Sequence, residues 1–395
     1  MSMKKETTIV SAGRGKEYTH GIVNPPVYRA STCIFDTYAE MQERNADPYQ
    51  KHLYYGRKGT PTHWALSDAL MALEGEKAAG CLLFPSGLAA MTSAILSQVK
   101  AGDHVLITDS AYDPTRYFSQ TLLKDSGVEA EYYDPMIGGN IVDLLRENTA
   151  CIIVEAPGSL TFEVQDVPAI VRAAKDHKAT VIMDNTWATA LNYQAFEYGV
   201  DVVVHAATKY IVGHSDVMIG AALANEACLP ALRSYAMATG QTCSADDAYL
   251  ALRGLRTMSV RLKQHEENAL AVAQWLAAHP AVDRVLHPAL PDCPGHEIWK
   301  RDFSGSTGLF SFVMKDGSLD HAAALVDDLH HYKMGFSWGG YESLILPTDP
   351  RSYRKKSKFQ ANGPTFRLHI GLEDPEDLIT DLSAGIDRYL VAIKG

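Results

Sequence analysis

The sequence has no paired cysteines. Its six (Cys33, Cys81, Cys151, Cys228, Cys243 and Cys293) are scattered through 395 residues without a CxxC. That excludes a disulfide framework and a cysteine zinc site, and points to buried thiols in a reducing compartment. Fifteen histidines include no HExxH or paired ligand spacing, so no metal centre is expected. No apolar run approaches the ~20 residues of a membrane span. The opening MSMKKETTIVSAGRG has two lysines and no apolar h-region, so a cytoplasmic location is expected rather than secretion. Basic excess is missing too: a net charge of −11 argues against general affinity for nucleic acid or anionic membrane. No internal repeat or low-complexity linker divides the chain. What remains is the composition of an ordinary soluble protein, long enough for one large domain and a smaller one.

The informative stretch is Val181 to Asp216. Two short β-branched runs, Val181–Met183 and Val202–Val204, read as buried strands of a parallel sheet. The first ends in Asp184 and the second leads to Lys209. Ligands of open α/β sheets sit beyond the carboxyl ends of the strands, so a carboxylate and an amine can face one crevice. Singly, such an Asp is more often a helix cap and such a Lys merely solvated. As a pair they suit pyridoxal phosphate, which needs a lysine for its Schiff base and an acid to keep its ring nitrogen protonated.

Other segments supply the remaining parts. GCLLFPSGLAAM, from Gly80 to Met91, reads as a strand broken by Pro85, a Ser86 cap and a helix. The free N–H groups of Gly87 and Leu88 at that helix start form a phosphate cup, with the Thr208 hydroxyl assisting. His104–Thr108 and Ala150–Val154 are further strands. Tyr112 lies past the first of them. Asp166-Val167-Pro168 opens a helix to about His177. This alternation over residues 80–210 is the doubly wound α/β pattern, with a mostly parallel sheet. Met218–Ala224 is expected to return antiparallel, and Asp246 to about Ala278 to form a long helix.

The flanks differ. Residues 1 to about 58, broken by Asn24-Pro25-Pro26 and Asp47-Pro48, show no sustained period and cannot bury a core of their own. An amphipathic helix follows at Thr62–Leu73. From about Gly254, strands at Leu309–Val313 and Phe366–Ile370 and helices at about Ala322–Leu329 and Asp377–Leu390 suggest a small α+β domain. The expected division is an arm (1–58), a large cofactor-binding domain (59–253) and a C-terminal substrate domain (254–395).

DNTW followed by ATKYIVGHSD resembles the cofactor core of the cystathionine-metabolising pyridoxal-phosphate enzymes, the γ-family of fold type I. The resemblance runs from the arm to the C-terminus. It implies that Lys209 carries the cofactor, Asp184 faces the ring nitrogen, and Tyr112 stacks on the ring. It leaves open whether Tyr112 or Lys209 removes the Cα proton. YGRKGTPT resembles the arm segment that enters the neighbouring subunit, where Tyr55 and Arg57 would clamp the phosphate. Active sites would then be shared in at least a dimer, and the family suggests a homotetramer. Arg367, in RLHIGLED, takes the place of the arginine that holds the substrate's α-carboxylate. Ser337, Trp338 and Tyr55 would line the substrate.

Three segments depart from the γ-acting members: SWGGYESL, YGRKGTPTH and AYDPT. All three resemble the bacterial β-eliminating branch, which implies β-elimination of L-cystathionine within methionine biosynthesis. Trp338, bulkier than the leucine usual there, would leave no room for the second proton abstraction that γ-chemistry needs. A broader cysteine-S-conjugate β-lyase or cysteine desulfhydrase is the alternative, ahead of a methionine or cystathionine γ-lyase. Ala206 stands where many members carry a phosphate-binding serine.

Overall fold

The structure is a computed structural model that describes residues 3–47, 49–352 and 354–394. Pro48, one of the expected breakers, lies outside them, as do the first two residues. Seven strands form the main sheet: β1 (Gly80–Phe84), β2 (His104–Thr108), β3 (Glu129–Tyr133), β4 (Thr149–Glu155), β5 (Thr180–Asp184), β6 (Val202–His205) and β7 (Gly220–Ala224). Their order is β1-β7-β6-β5-β4-β2-β3. All neighbours run parallel except β7, which is antiparallel to both β1 and β6. The fold is therefore α/β with a mostly parallel sheet, as expected.

The strands read as continuous apolar runs because both faces are covered. Along β5, Val181 and Met183 point into one core with Ile152, Val154 and Val203. Ile182 points into the other with Ile153, Val202 and Val204. This period of two leaves only the strand ends for chemistry. A second sheet holds β8 (Val282–Leu286), β9 (Leu309–Met314), β10 (Leu344–Thr348) and β11 (Thr365–His369), ordered β10-β11-β9-β8 and antiparallel throughout. Helices Met258–Ala278 and Pro375–Ala392 cover it, through residues such as Val272, Leu276, Leu382 and Ile386.

Some elements differ from the expectation. The segment without a period contains three short helices, α1 (Lys5–Ser11), α2 (Lys16–Thr19) and α3 (Tyr38–Ala46). They are too short to register as a pattern; packing secures the first two, whereas α3 buries none of its side chains. Ile9 and Tyr18 are buried, and the Tyr18 hydroxyl donates to Asp68 at 2.9 Å on α4 (Pro61–Glu74). The long helix is two, Ala245–Leu255 and Met258–Ala278, with Thr257 between them at φ −108°, ψ 3°. Gly254 lies at this break, where a Cβ would sit 2.2 Å from Val212 O. The expected Ala322–Leu329 helix is the single turn Ala322–Val326. No helix among the described residues is long and apolar enough to cross a membrane.

Candidate active site

The parallel register sets Glu155 of β4 beside Asp184 of β5, and Asp184 beside Val204 of β6. Asp184 Oδ1 accepts the Thr186 N–H at 3.0 Å, and Thr186 Oγ1 accepts the Ala206 N–H at 2.9 Å. The turn after β5 is thereby tied to the turn that carries Thr208 and Lys209. Helix α5 (Gly87–Leu96) starts at the same edge, with the Ala89 N–H capped by Ser86 Oγ at 3.1 Å. A Cβ on Gly87 would lie 2.3 Å from Ala206 Cβ, so glycine lets the helix start approach the Ala206 turn. Among the described residues the N–H groups of Gly87 and Leu88 have no acceptor. The Thr208 hydroxyl is engaged by Ile219, donating to its carbonyl at 3.1 Å and accepting its N–H at 2.9 Å.

The opposite wall comes from the second sheet. Arg367 lies on β11 between Leu346 and Ser311, and its Nη2 donates to Ser337 O at 3.1 Å. The Ser337 hydroxyl lies 2.6 Å from Lys209 Nζ, and the Trp338 ring centroid 5.1 Å from it. Ser337 thus joins the two predicted groups, lysine and arginine, across 158 residues of sequence. The loop path is tightly determined. Ser337 and Gly339 have φ of +84° and +91°, and a Cβ on Gly339 would lie 2.9 Å from the Lys209 carbonyl carbon. The Gly339 N–H donates to His369 Nε2 at 3.1 Å. Burial, helped by neighbouring His265, pushes His369 down to about 3, so it stays neutral; its Nε2 also lies 3.0 Å from Gly340 O, to which the other tautomer donates.

Electrostatics separate the groups. Burial, and then the Arg367 guanidinium, push the Lys209 ammonium down to about 8, against the pull of Asp184. Burial raises Asp184; the Thr186 hydrogen bonds, His205 and Lys209 oppose it. Glu155 is raised well above the usual carboxylate range, by burial and by Asp184 beside it. Tyr112 is raised by burial, then by Glu155 and Asp184, with Arg367 opposing. Its side chain is 45% exposed, and its N–H donates to Glu155 Oε2 at 2.7 Å. Sequence reasoning gave Glu155 no role, although it ends a strand as Asp184 does and the same rule selects it.

Tyr55 and Arg57 stand apart from this cluster. Tyr55 pairs with Thr32 in an isolated bridge, and Arg57 donates to Met237 O at 3.0 Å. Arg57 borders a cavity of about 360 Å³ with Trp64, Met71, Arg233 and Cys243. No hydrogen bond among the described residues joins either side chain to Lys209 or Asp184.

The pattern of the Cys/Met metabolism PLP-dependent enzyme family matches residues 6–387. The chain is 48% identical over 393 residues to the cystathionine beta-lyase MetC of Escherichia coli K12, covering 98% of this chain and 99% of that one. It is 43% identical over 397 residues to an L-alanine/L-glutamate racemase of Wolbachia pipientis, covering 98% of each. A crystal structure of a cystathionine gamma synthase from Xanthomonas oryzae, in complex with cystathionine, superposes with a TM-score of 0.89 at 31% identity. It covers 99% of this chain and all of that one.

Proposed function

The chain belongs to the Cys/Met metabolism PLP-dependent enzyme family, and on that premise we propose that it cleaves L-cystathionine by β-elimination to homocysteine, pyruvate and ammonia. The observation that carries this reading is the meeting of Lys209, Ser337, Trp338 and Arg367 at the edge where Asp184 ends its strand. The residues present fit pyridoxal phosphate. The open N–H groups of Gly87 and Leu88 suit its phosphate. Asp184 suits its ring nitrogen, and Lys209 its aldehyde. For Thr208 to add its hydroxyl, that group would turn from Ile219 O.

When bound, pyridoxal phosphate supplies the electron sink that makes the substrate's Cα–H acidic. Arg367 takes the α-carboxylate in a two-pronged bond and so orients Cα. Lys209 Nζ or Tyr112 Oη removes the Cα proton. The lysine then gives its proton to the departing sulfur. Trp338 fills the space beside Nζ and limits the bulk that can enter. In this reading residues 1–58 are an arm that delivers Tyr55 and Arg57 to a neighbouring subunit, in keeping with the lack of any hydrogen bond from either to Lys209 among the described residues. Residues 59–253 then bind the cofactor, and 254–395 the substrate. The enzyme is then a cytoplasmic homo-oligomer, at least a dimer and in the family's manner a tetramer.

The direct test incubates the cofactor-loaded protein with L-cystathionine. Pyruvate with homocysteine is expected; 2-oxobutyrate with cysteine would refute β-elimination. Pyruvate from other S-conjugates at higher kcat/KM would favour the broader lyase.

A second expectation follows from Lys209. The neutral amine is what attacks an aldehyde. Capture of pyridoxal phosphate by the cofactor-free protein, followed by its visible absorbance, should therefore accelerate as pH rises through about 8. An ordinary lysine would respond near ~10.4. A rate that climbs without a bend through the lower range contradicts the assignment.

A further inference from the structure

Asp109 follows β2 directly, three residues before Tyr112, and is fully buried. Its Oδ2 accepts the backbone N–H groups of Lys355 at 2.8 Å, Lys356 at 2.7 Å and Ser357 at 2.9 Å, and the Ser357 hydroxyl at 3.2 Å. Its Oδ1 accepts Arg116 Nη1 at 3.0 Å. Arg116, only 1% exposed, lies on α6 (Asp113–Gln120) and also donates to the Asp109 carbonyl at 2.9 Å. Three successive N–H groups converging on one carboxylate form an anion-binding nest. Burial opposes ionisation of Asp109, but these donors outweigh it and hold the group below its ordinary value.

The nest belongs to the far end of the chain, between β10 and β11, the strand that carries Arg367. A second clasp lies beside it, where Arg354 Nη2 reaches Glu163 Oε1 at 3.0 Å and also bonds Thr161. Tyr112 sits within the turn that this clamp closes. Asp109 holds the start of the turn, Arg116 holds the helix after it, and Glu155 holds the Tyr112 N–H between them.

We propose that Asp109 is a positioning residue for Tyr112, and that residues 354–357 brace the Tyr112 turn against the part of the chain that carries Arg367. This rests on the role given to Tyr112 above. Asp109 itself touches no reacting atom.

The test is a double-mutant cycle in the cofactor-loaded enzyme. Asp109→Asn keeps the size of the side chain but not the anion. It is expected to lower kcat by about tenfold to a hundredfold, the scale of a misplaced catalytic group, with KM and the cofactor's absorbance near wild type. In a Tyr112→Phe background the same change should cost no more than about twofold, because coupled residues are not additive. An equal loss in both backgrounds overturns the proposal, and so does an Asp109→Asn enzyme with wild-type kcat. Should Asp109→Asn not fold, Lys356→Pro deletes the 2.7 Å donor from an exposed position. It is expected to show the same dependence on Tyr112, and wild-type kcat there is equally fatal. A Tyr112→Phe enzyme at wild-type rate also ends the proposal. It leaves β-elimination standing, since that is read from the products of the unaltered protein.

Discussion

Replacing Lys209 with alanine is expected to abolish both the visible absorbance of the bound cofactor and the release of pyruvate from cystathionine. Two functions disappear with one amine. The side chain offers both a nucleophilic nitrogen for the aldehyde and a group that ionises near neutrality, at about 8. Loss of a general base alone costs about 10²–10⁴-fold, and loss of the covalent anchor adds to it. The fold should survive. The Nζ of Lys209 contacts only the Ser337 hydroxyl and the Trp338 ring among the described residues, neither of which ties the strands together. A variant with native circular dichroism, no cofactor absorbance and no turnover is the expected result. Turnover within tenfold of wild type would end the mechanism.

The second large effect is expected at Arg367→Leu. Removing one partner of a partly buried, hydrogen-bonded charge pair costs about 2–5 kcal/mol, or roughly 30- to 4,000-fold in kcat/KM at 1.4 kcal/mol per decade. The same change acts on Lys209. Arg367 is the second cause, after burial, that lowers the lysine. Removing a nearby positive charge favours the protonated amine and raises its pKa. The pH above which the cofactor-free protein captures pyridoxal phosphate should therefore rise above about 8, while kcat/KM of the loaded enzyme falls. An unmoved capture profile with full affinity would take Arg367 out of the site.

The chemistry at strand ends was legible because the sheet is buried on both faces. When every interior position of β5 and β6 must be apolar, Asp184 and the Lys209 that follows stand out as exceptions. The start of α5 was legible for a similar local reason, since Pro85, Ser86 and Gly87 are punctuation for a strand-to-helix turn. The contacts between distant segments were not. That Ser337 bridges Lys209 and Arg367 depends on how the second sheet docks on the first, and no periodicity encodes it. The nest on Asp109 is built from backbone N–H groups, which every residue but proline possesses. The short helices at the start of the chain escaped for want of length, not of signal.

Gly339 carries a different lesson. Its positive φ, and the 2.9 Å at which an added Cβ would meet the Lys209 carbonyl carbon, tie the course of one backbone to that of another, while the Trp338 side chain beside it is held by ring contacts with Tyr210 and Lys209. A chain retuned toward bulkier or smaller thioethers would therefore vary residue 338 and keep 339. The frame of the binding site and its upholstery are open to change at very different rates, and a library designed on this scaffold should randomise only the second.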